Sequence, residues 1–266
     1  MTKILLVGCG KMGGALLAGW LNRGIAAADV VVVEPNPVPD LPAGLRQVAE
    51  AAAIPADFAP DIVMLAVKPQ AMDQATPAYA GYAAQGACFL SIAAGKTIAG
   101  LNALLGGSAA IVRSMPNTPA AVGRGITVCC ASATVGAGQR DACQSLLEAV
   151  GEVGWVADEA LIDAVTAVSG SGPAYVFWLT ECLAAAGEKA GLDAALSARL
   201  ARATVFGAGE LMRQSPDSPA QLRKNVTSPN GTTQAALDVL MAPDGLGPLM
   251  DRAVAAAARR SRELAG

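Results

Sequence analysis

Short runs of consecutive apolar residues alternate with helix-like stretches over the first half of the chain. The runs lack the in-out alternation of a half-exposed strand, so they indicate strands buried on both faces. A stretch such as Met12–Gly24 predicts a helix, and Gly24 suits its C-terminal cap. The alternation predicts a doubly wound α/β domain with a parallel sheet. The predicted strands are Lys3–Gly8, Asp29–Asn36, Asp61–Pro69, Ala87–Gly95, Ala109–Asn117 and Gly125–Ser132.

The pattern changes after residue 158, where the apolar positions take helical spacing and Gly, Ser and Pro separate the segments. The last segment ends in three arginines, which suit the negative end of a helix dipole. We therefore predict an α/β domain over 1–158 and an all-helical domain over 159–266. The predicted helical segments are 159–168, 173–191, 194–214, 218–226, 232–242 and 246–264.

Composition narrows the class of protein. Apolar residues make up 53% of the 266 residues and charged residues 15%, which favours layers buried on both faces and a subunit that hides surface in an oligomer. The net charge is −3 without any basic run, so we expect no nucleic-acid partner. No segment has a clean transmembrane length and the start runs straight into a strand, so we expect no membrane partner and no signal peptide.

The chain contains six cysteines and no histidine. None of the cysteines forms a C-x-x-C pair, so we predict no metal site and a thiol-reduced, cytoplasmic protein. Catalytic triads that use histidine are excluded. Any proton donor must be a lysine, a carboxylic acid, a hydroxyl group or water.

A G-x-G-x-x-G motif, GCGKMG, follows the first predicted strand and opens the first helix. In that context the glycines allow a tight turn and a close backbone approach to a pyrophosphate, which the helix N-terminus attracts. A glycine-rich turn that merely packs is the alternative. The motif predicts a dinucleotide cofactor bound by Gly8, Cys9, Gly10, Lys11, Met12 and Gly13.

Glu34 ends the second predicted strand, at the spacing where a carboxylate accepts hydrogen bonds from the adenosine ribose of NAD. Asn36 is a second candidate contact. No arginine follows to hold the 2′-phosphate of NADP, so these residues lean to NADH. A solvated carboxylate at the strand end is the alternative.

Two further segments, Ala66–Gln70 and Ser91–Gly95, stand at the carboxyl ends of their predicted strands. Ligands bind at that edge of such sheets. Lys68 either faces a cofactor or is a solvated loop lysine.

Two compact motifs mark the second half. In VSGSGPAYVFW, Gly170 and Gly172 interrupt a helical pattern, which suits close packing of helices or exposure of backbone N–H groups to a ligand. In NVTSPNGTTQAAL, we expect Ser228 to cap the next helix and Gly231 to take a positive φ.

Thr232 and Thr233 then begin a helix whose first N–H groups lack intrahelical partners. Those groups suit a substrate carboxylate, and a threonine hydroxyl beside it suits a substrate nitrogen. An ordinary threonine helix start is the alternative.

With these blocks, and with LAVKPQ, SIAAG and RSMPNTP, the chain resembles the pyrroline-5-carboxylate reductase family over nearly its full length. The resemblance implies an α/β fold with an N-terminal Rossmann-like dinucleotide-binding domain and a C-terminal all-helical dimerisation domain. It implies reduction of 1-pyrroline-5-carboxylate to L-proline, the final step of proline synthesis, with NADPH or NADH. It also implies a homodimer through the helical domain, or a larger assembly such as a decamer of dimers.

The resemblance also assigns roles to residues. Thr233 matches the threonine whose hydroxyl faces the imine nitrogen and is the expected catalytic residue. The substrate-binding residues that it implies are Glu159, Asn225, Ser228, Gly231, Thr232 and Thr233. The cofactor-binding residues that it adds are Ala66, Val67, Lys68, Pro69, Ala93 and Ala94.

The chain departs from the family pattern at two places. Asn230 stands where many relatives have glycine, and the region Glu50–Phe58 has alanines where many relatives have an asparagine near the adenosine. The family commonly favours NADPH whereas Glu34 leans to NADH, so the preference stays open.

Two other functions remain open. One is a related reductase, such as a β-hydroxyacid dehydrogenase or an imine reductase with another substrate. A hydroxyacid enzyme typically has a lysine four residues after its helical-domain G-x-G, where this chain has Val176. The other is a non-catalytic nucleotide-binding protein that senses redox state.

Overall fold

The structure, a computed structural model, describes residues 2–39 and 41–265. It divides into two compact units. Unit 1 contains the residues up to 170 and those from 257 onward, and unit 2 contains residues 171–256. The predicted domain division at residues 158 and 159 stays a prediction, because compactness alone does not delimit a functional domain.

Unit 1 is an α/β unit in which, among the described residues, eight strands form one sheet in the order β3-β2-β1-β4-β5-β6-β7-β8. The strands are β1 Ile4–Val7, β2 Val30–Val33, β3 Arg46–Val48, β4 Ile62–Leu65, β5 Cys88–Ser91, β6 Ala110–Met115, β7 Gly125–Ala131 and β8 Gly151–Trp155. The helices are α1 Lys11–Asn22, α2 Met72–Ala75, α3 Ala80–Ala84, α4 Ile98–Leu104, α5 Ala137–Leu147 and α6 Leu161–Val165.

The sheet confirms the α/β prediction and corrects it in two respects. Strands β6 and β7 pair antiparallel, because a tight loop containing a 3₁₀ turn, Thr118–Val122, joins them directly without a crossover helix. Strands β3 and β8 lie at the two edges of the sheet and were not predicted. Both are short and only partly buried, so neither has the continuous apolar run of a central strand.

The core of unit 1 lies on both faces of the sheet. Successive residues of β1 point to opposite faces, so Ile4 and Leu6 pack with α1 and α5 whereas Leu5 and Val7 join the other layer. Helix α1 ends as expected, because Gly24 has φ 87° and its N–H donates to the carbonyl oxygen of Leu21. Because the parallel strands run in the same direction, their carboxyl ends lie along one edge of the sheet.

Unit 2 consists of helices, as predicted. They are α7 Gly172–Lys189, α8 Ala194–Gln214, α9 Pro219–Asn225, α10 Thr232–Leu240 and the first part of α11, Leu246–Ala265. A π-helical turn, Thr166–Gly170, precedes α7. Helices α7 and α8 pack closely, since the Ser197 hydroxyl donates to the carbonyl oxygen of Ala184 at 2.5 Å. Ser197 and Ala201 are the buried residues between positions 171 and 256.

Candidate active site

The glycine-rich turn lies at the carboxyl end of β1 and depends on two glycines for its shape. Gly8 has φ 89°, and a Cβ on it would lie 2.8 Å from the backbone nitrogen of Val67. A Cβ on Gly13 would collide with the carbonyl oxygen of Gly8. The turn therefore packs tightly against the end of β4, which is the close helix–strand approach expected of this motif.

Gly10 is different, because a Cβ on it would meet no protein atom within 4 Å. It is the N-cap of α1, whose first turn contains no acidic residue. The first N–H groups of a helix have no intrahelical partner and carry partial positive charge. Open space in front of such a helix end fits the pyrophosphate of a dinucleotide.

The carboxylate of Glu34 is tied to the same turn. Its Oε2 accepts the N–H of Cys9 at 3.0 Å, and its Oε1 accepts the backbone and side-chain N–H groups of Asn36, each at 3.1 Å. Partial burial raises the pKa of Glu34, but these hydrogen bonds outweigh it and the pKa is lowered from 4.5. Glu34 is thus an anion that organises the turn, while its remaining lone pairs can accept ribose hydroxyls.

The other expected cofactor residues follow β4 and β5 at the same edge. The register Leu65↔Ser91 places the ends of these two strands side by side. Beyond them, Ala66, Val67 and Pro69 are partly buried, Ala93 is buried, and Lys68 and Ala94 are exposed. The structure thus brings the predicted cofactor residues of unit 1 together along one edge of the sheet.

Glu159 lies in unit 1, just before α6, and forms an ion pair that the sequence did not predict. Its Oε1 accepts a hydrogen bond from Nη1 of Arg113 at 2.8 Å and another from the backbone N–H of Ile98 at 2.8 Å. The Arg113 side chain is 4% exposed. A single arginine within the apolar strand AIVRSM was the signal that should have marked it, because buried arginines need partners.

Asn225 ends α9 in unit 2 and is held by neighbours in the same segment. Its Oδ1 accepts from Nε2 of Gln221 at 2.7 Å, and its Nδ2 donates to Oδ2 of Asp217 at 3.3 Å. All three residues are exposed in the single chain. The amide is therefore oriented before any ligand binds.

The turn between α9 and α10 corrects two predictions. Gly231, not Ser228, is the N-cap of α10, and no side chain caps this helix. The residue in the left-handed region is Asn230, with φ 58°, whereas Gly231 has φ −84°. Ser228 contributes its carbonyl oxygen, which accepts the N–H of Gly231 at 3.0 Å. Asparagine tolerates the left-handed conformation, so the turn forms without a glycine at position 230.

Helix α10 begins at Thr232, as predicted. Its first intrahelical bond runs from the N–H of Ala235 to the carbonyl oxygen of Gly231 at 3.1 Å. Among the described residues, neither Thr232 nor Thr233 uses its hydroxyl in a hydrogen bond. Two hydroxyls and the first N–H groups of the helix are therefore available to a small anionic ligand.

The described residues contain no metal-ligand cluster, no membrane-spanning helix and no disulfide. Over residues 2–39 and 41–265, no cluster of three or more His, Cys, Asp or Glu side chains is arranged to hold a metal ion. In the same part of the chain, no helix is both long enough and apolar enough to cross a membrane. All six cysteines are free thiols.

Two family models match the chain. The model described as pyrroline-5-carboxylate reductase dimerisation matches residues 159–264. The model described as NADP oxidoreductase coenzyme F420-dependent matches residues 3–95. The first match covers the helical segments of the second half, and the second covers the strands that carry the glycine-rich turn.

Curated relatives and solved structures resemble the chain over its length. It is 42% identical to the pyrroline-5-carboxylate reductase of Pseudomonas aeruginosa, over 99% of this chain and 97% of the relative. A structure of pyrroline-5-carboxylate reductase from Coxiella burnetii has a TM-score of 0.92 at 32% identity and covers 100% of this chain and 99% of that one. The Plasmodium falciparum pyrroline carboxylate reductase, solved with NADP bound, has a TM-score of 0.82 at 29% identity, covering 100% and 98%.

Proposed function

The chain belongs to the pyrroline-5-carboxylate reductase family, and we infer that it reduces the C=N bond of 1-pyrroline-5-carboxylate to form L-proline with NADPH or NADH. This is the final step of proline biosynthesis. The observation that carries the inference is the 42% identity to a curated reductase over 99% of the chain. Two helix ends support it: the start of α1, which follows the glycine-rich turn, and the start of α10, which carries the two threonines.

The dinucleotide is assigned to the turn from Gly8 to Gly13. The open space at Gly10 takes the pyrophosphate, and Glu34 with Asn36 lies where the ribose is expected. The segments at Ala66–Pro69 and Ala93–Ala94 are assigned to the nicotinamide half. When bound, the reduced nicotinamide supplies the hydride that the substrate carbon receives.

The carboxylate of the substrate is assigned to the start of α10, where Ser228, Gly231 and Thr232 form the turn. The unpaired N–H groups and the helix dipole bind the anion there. Thr233 then donates its hydroxyl hydrogen bond to the ring nitrogen of the neutral imine and orients the C=N bond. Once that nitrogen is protonated it has no lone pair left, and its N–H is donated to an acceptor instead. A protonated imine is already electrophilic, so placement is the main requirement and no histidine is needed.

Glu159 and Asn225 are assigned to the substrate as well. A carboxylate that accepts the N–H of the protonated ring, and an amide that its own neighbours orient, both favour one pose of a small cyclic acid. The Asp217–Asn225–Gln221 hydrogen bonds support the role of Asn225, because they fix its amide in advance.

The choice between NADH and NADPH has arguments on each side. The anionic Glu34 at the ribose position repels a 2′-phosphate, and the solved relative from Plasmodium falciparum contains NADP. Both cofactors are therefore proposed. Parallel assays with each, at equal concentration, decide the preference.

We propose that two copies associate through unit 2. Large apolar side chains cover its helices and are widely exposed in the single chain, among them Phe177 at 63%, Trp178 at 64% and Phe206 at 74%. A monomer rarely exposes so much apolar surface. The match to a dimerisation model over residues 159–264 supports the same assembly.

A decamer of dimers is the larger assembly that we propose, and light scattering of the purified protein at several concentrations tests it. A cytoplasmic location is proposed from the free thiols, which persist where disulfides are reduced.

The deciding experiment follows the loss of nicotinamide absorbance after 1-pyrroline-5-carboxylate is added to the purified protein and reduced cofactor. We expect oxidation of the cofactor in proportion to the proline formed. Oxidation of the reduced cofactor by another cyclic imine, or by the β-oxo acid that a β-hydroxyacid dehydrogenase reduces, would instead assign a related reductase. Cofactor binding without oxidation by any of these substrates would assign a redox sensor.

A further inference from the structure

Arg113 is a buried cation with unusually few partners. It lies in β6, its side chain is 4% exposed, and its Nη1 donates to Oε1 of Glu159 at 2.8 Å. Its Nε and Nη2 are buried and have no hydrogen-bond partner among the described residues. Most buried polar atoms find a partner, so this arrangement requires an explanation.

Glu159 is held on one side only. Its Oε1 receives both the guanidinium of Arg113 and the backbone N–H of Ile98, each at 2.8 Å. Among the described residues, its Oε2 has no hydrogen-bond partner, and the side chain is 29% exposed. One oxygen is anchored to two separate elements, β6 and the start of α4, and the other remains available.

The ion pair lies beside a small apolar cluster of unit 1. Met115, Cys130 and Ile162 pack together in this cluster. Burial and, next, the charge of Glu159 raise the pKa of the Cys130 thiol, so Cys130 stays neutral. An ion pair in such surroundings is a poor source of stability, since apolar residues of similar size often serve as well. Its value must therefore lie in where it holds the carboxylate.

We propose that Arg113 is a positioning residue for the reduction: it fixes Glu159 so that Oε2 accepts the N–H of the protonated imine ring. The proposal rests on the proposed function. The guanidinium provides a rigid donor, and the N–H of Ile98 provides a second fixed point, so the carboxylate has little freedom to rotate. Arg113 acts through Glu159 and does not touch the substrate.

The test compares Arg113→Met, Glu159→Gln and the double variant R113M/E159Q. Each single change leaves one buried partner without its counterpart and destabilises the fold, whereas the double change removes both charges and restores stability. The matched control is R260M/E263Q, which removes an exposed Arg–Glu pair of 2.9 Å. For each protein, thermal melting is measured with kcat and KM for 1-pyrroline-5-carboxylate and the Kd for the cofactor.

We expect the double variant to melt close to the wild type while its kcat/KM for the imine stays about a hundredfold lower, at the level of the single variants. Its cofactor Kd should not change. Arg113→Lys, which keeps the charge, should recover part of the lost activity. A double variant that regains both stability and activity would show that the pair is merely structural. A folded R113M protein with normal kcat/KM would also overturn the proposal.

The wild type in the same assay separates the two levels of inference. A wild type that does not reduce 1-pyrroline-5-carboxylate contradicts the proposed function itself. A wild type that reduces it, with variants behaving otherwise than expected, contradicts only the role of Arg113.

Discussion

The two units of the chain bury their apolar residues to very different extents. In unit 1, the central strands β1 and β4 have side chains that are at most 2% exposed, and both faces of the sheet are covered. In unit 2, the 18-residue helix α7 contains no buried residue. The sheet of unit 1, covered by helices on both faces, completes its core within one chain, whereas the helices of unit 2 leave large apolar side chains exposed.

The difference separates two jobs. The complete core of unit 1 holds the strand ends rigid, as a bound dinucleotide requires. The glycine-rich turn is fixed to these strand ends by the close contacts of Gly8 and Gly13. The incomplete core of unit 2 leaves apolar helix surfaces exposed, which we propose a second copy covers. Unit 2 also contains the threonines at the start of α10. Five predictions test this contrast, beginning with the largest expected effect.

Phe206→Glu should disrupt the association of two copies. Phe206 is 74% exposed in the single chain, and a charge in an apolar interface should cost at least about 2 kcal/mol of association free energy. Light scattering should detect monomers, and reductase activity should fall with the dimer. Val122 in unit 1 is equally exposed at 74%, so Val122→Glu is the matched control and should remain dimeric. Equal behaviour of the two variants would break the contrast.

Thr233→Ala should impair the chemistry that unit 2 contributes. Loss of the hydroxyl donor should lower kcat by about ten- to a thousandfold, as is typical of proton donors. The cofactor Kd should be unchanged, since the cofactor is assigned to unit 1. Thr233→Ser keeps a hydroxyl and should recover most of the activity. Unchanged kcat and KM in T233A would remove Thr233 from the mechanism.

Gly10→Ala should impair cofactor binding without unfolding unit 1. A Cβ there meets no protein atom within 4 Å, so the melting temperature should hold, while the methyl group enters the proposed pyrophosphate space. We expect the cofactor Kd to rise roughly tenfold, the cost of a weakened hydrogen bond to a charged group. Gly8→Ala is the contrasting variant, and it should lower stability because its Cβ meets Val67. Normal cofactor affinity in G10A would place the pyrophosphate elsewhere.

Glu34→Gln should shift the cofactor preference. Removing the negative charge at the ribose position should raise kcat/KM for NADPH relative to NADH by about fivefold, which corresponds to about 1 kcal/mol of repulsion. Glu50 is an exposed carboxylate in the same unit. Glu50→Gln is therefore the matched control and should leave the ratio of kcat/KM for NADPH and NADH unchanged. A ratio that does not change in E34Q would exclude contact between Glu34 and the ribose.

The smallest expected effect is the acid sensitivity of unit 1. The folded-state pKa of Glu34 lies below 4.5, so its ionised form stabilises the fold above that pH, and this contribution is lost as the pH falls through the folded pKa. The wild type should therefore lose slightly more stability than E34Q between about pH 6 and about pH 3. The effect is small because the carboxylate is largely solvated. Parallel melting curves of the two proteins across that range would contradict it.

Local sequence patterns predicted most of the fold. Continuous apolar runs identified the six inner strands, and helical spacing identified the segments of the second half, because each pattern records burial along the chain itself. The edge strands β3 and β8 were not predicted, since a partly buried strand of three to five residues has no distinctive pattern of apolar positions. The antiparallel β7 escaped as well, because strand direction depends on how the chain returns.

The candidate site likewise contains residues that local sequence patterns predicted and residues that they did not. The sequence predicted the glycine-rich turn with Gly8, Gly10 and Gly13, because a motif of consecutive residues forms it. The left-handed residue was assigned to Gly231 although the chain places it at Asn230, since both residue types tolerate that conformation. The pairing of Arg113 with Glu159, 46 residues apart, has no local signature.

The sequence alone determined the six inner strands and the helical segments of the second half, where the glycine-rich turn lies and which family the chain resembles, because these depend on neighbours along the chain. Only the tertiary structure decided that Glu34 binds the turn through the Cys9 N–H, that Arg113 and Ile98 hold one oxygen of Glu159, and that unit 2 lacks a core of its own. Those features depend on which distant groups meet after folding, and burial removes the water that would otherwise satisfy them.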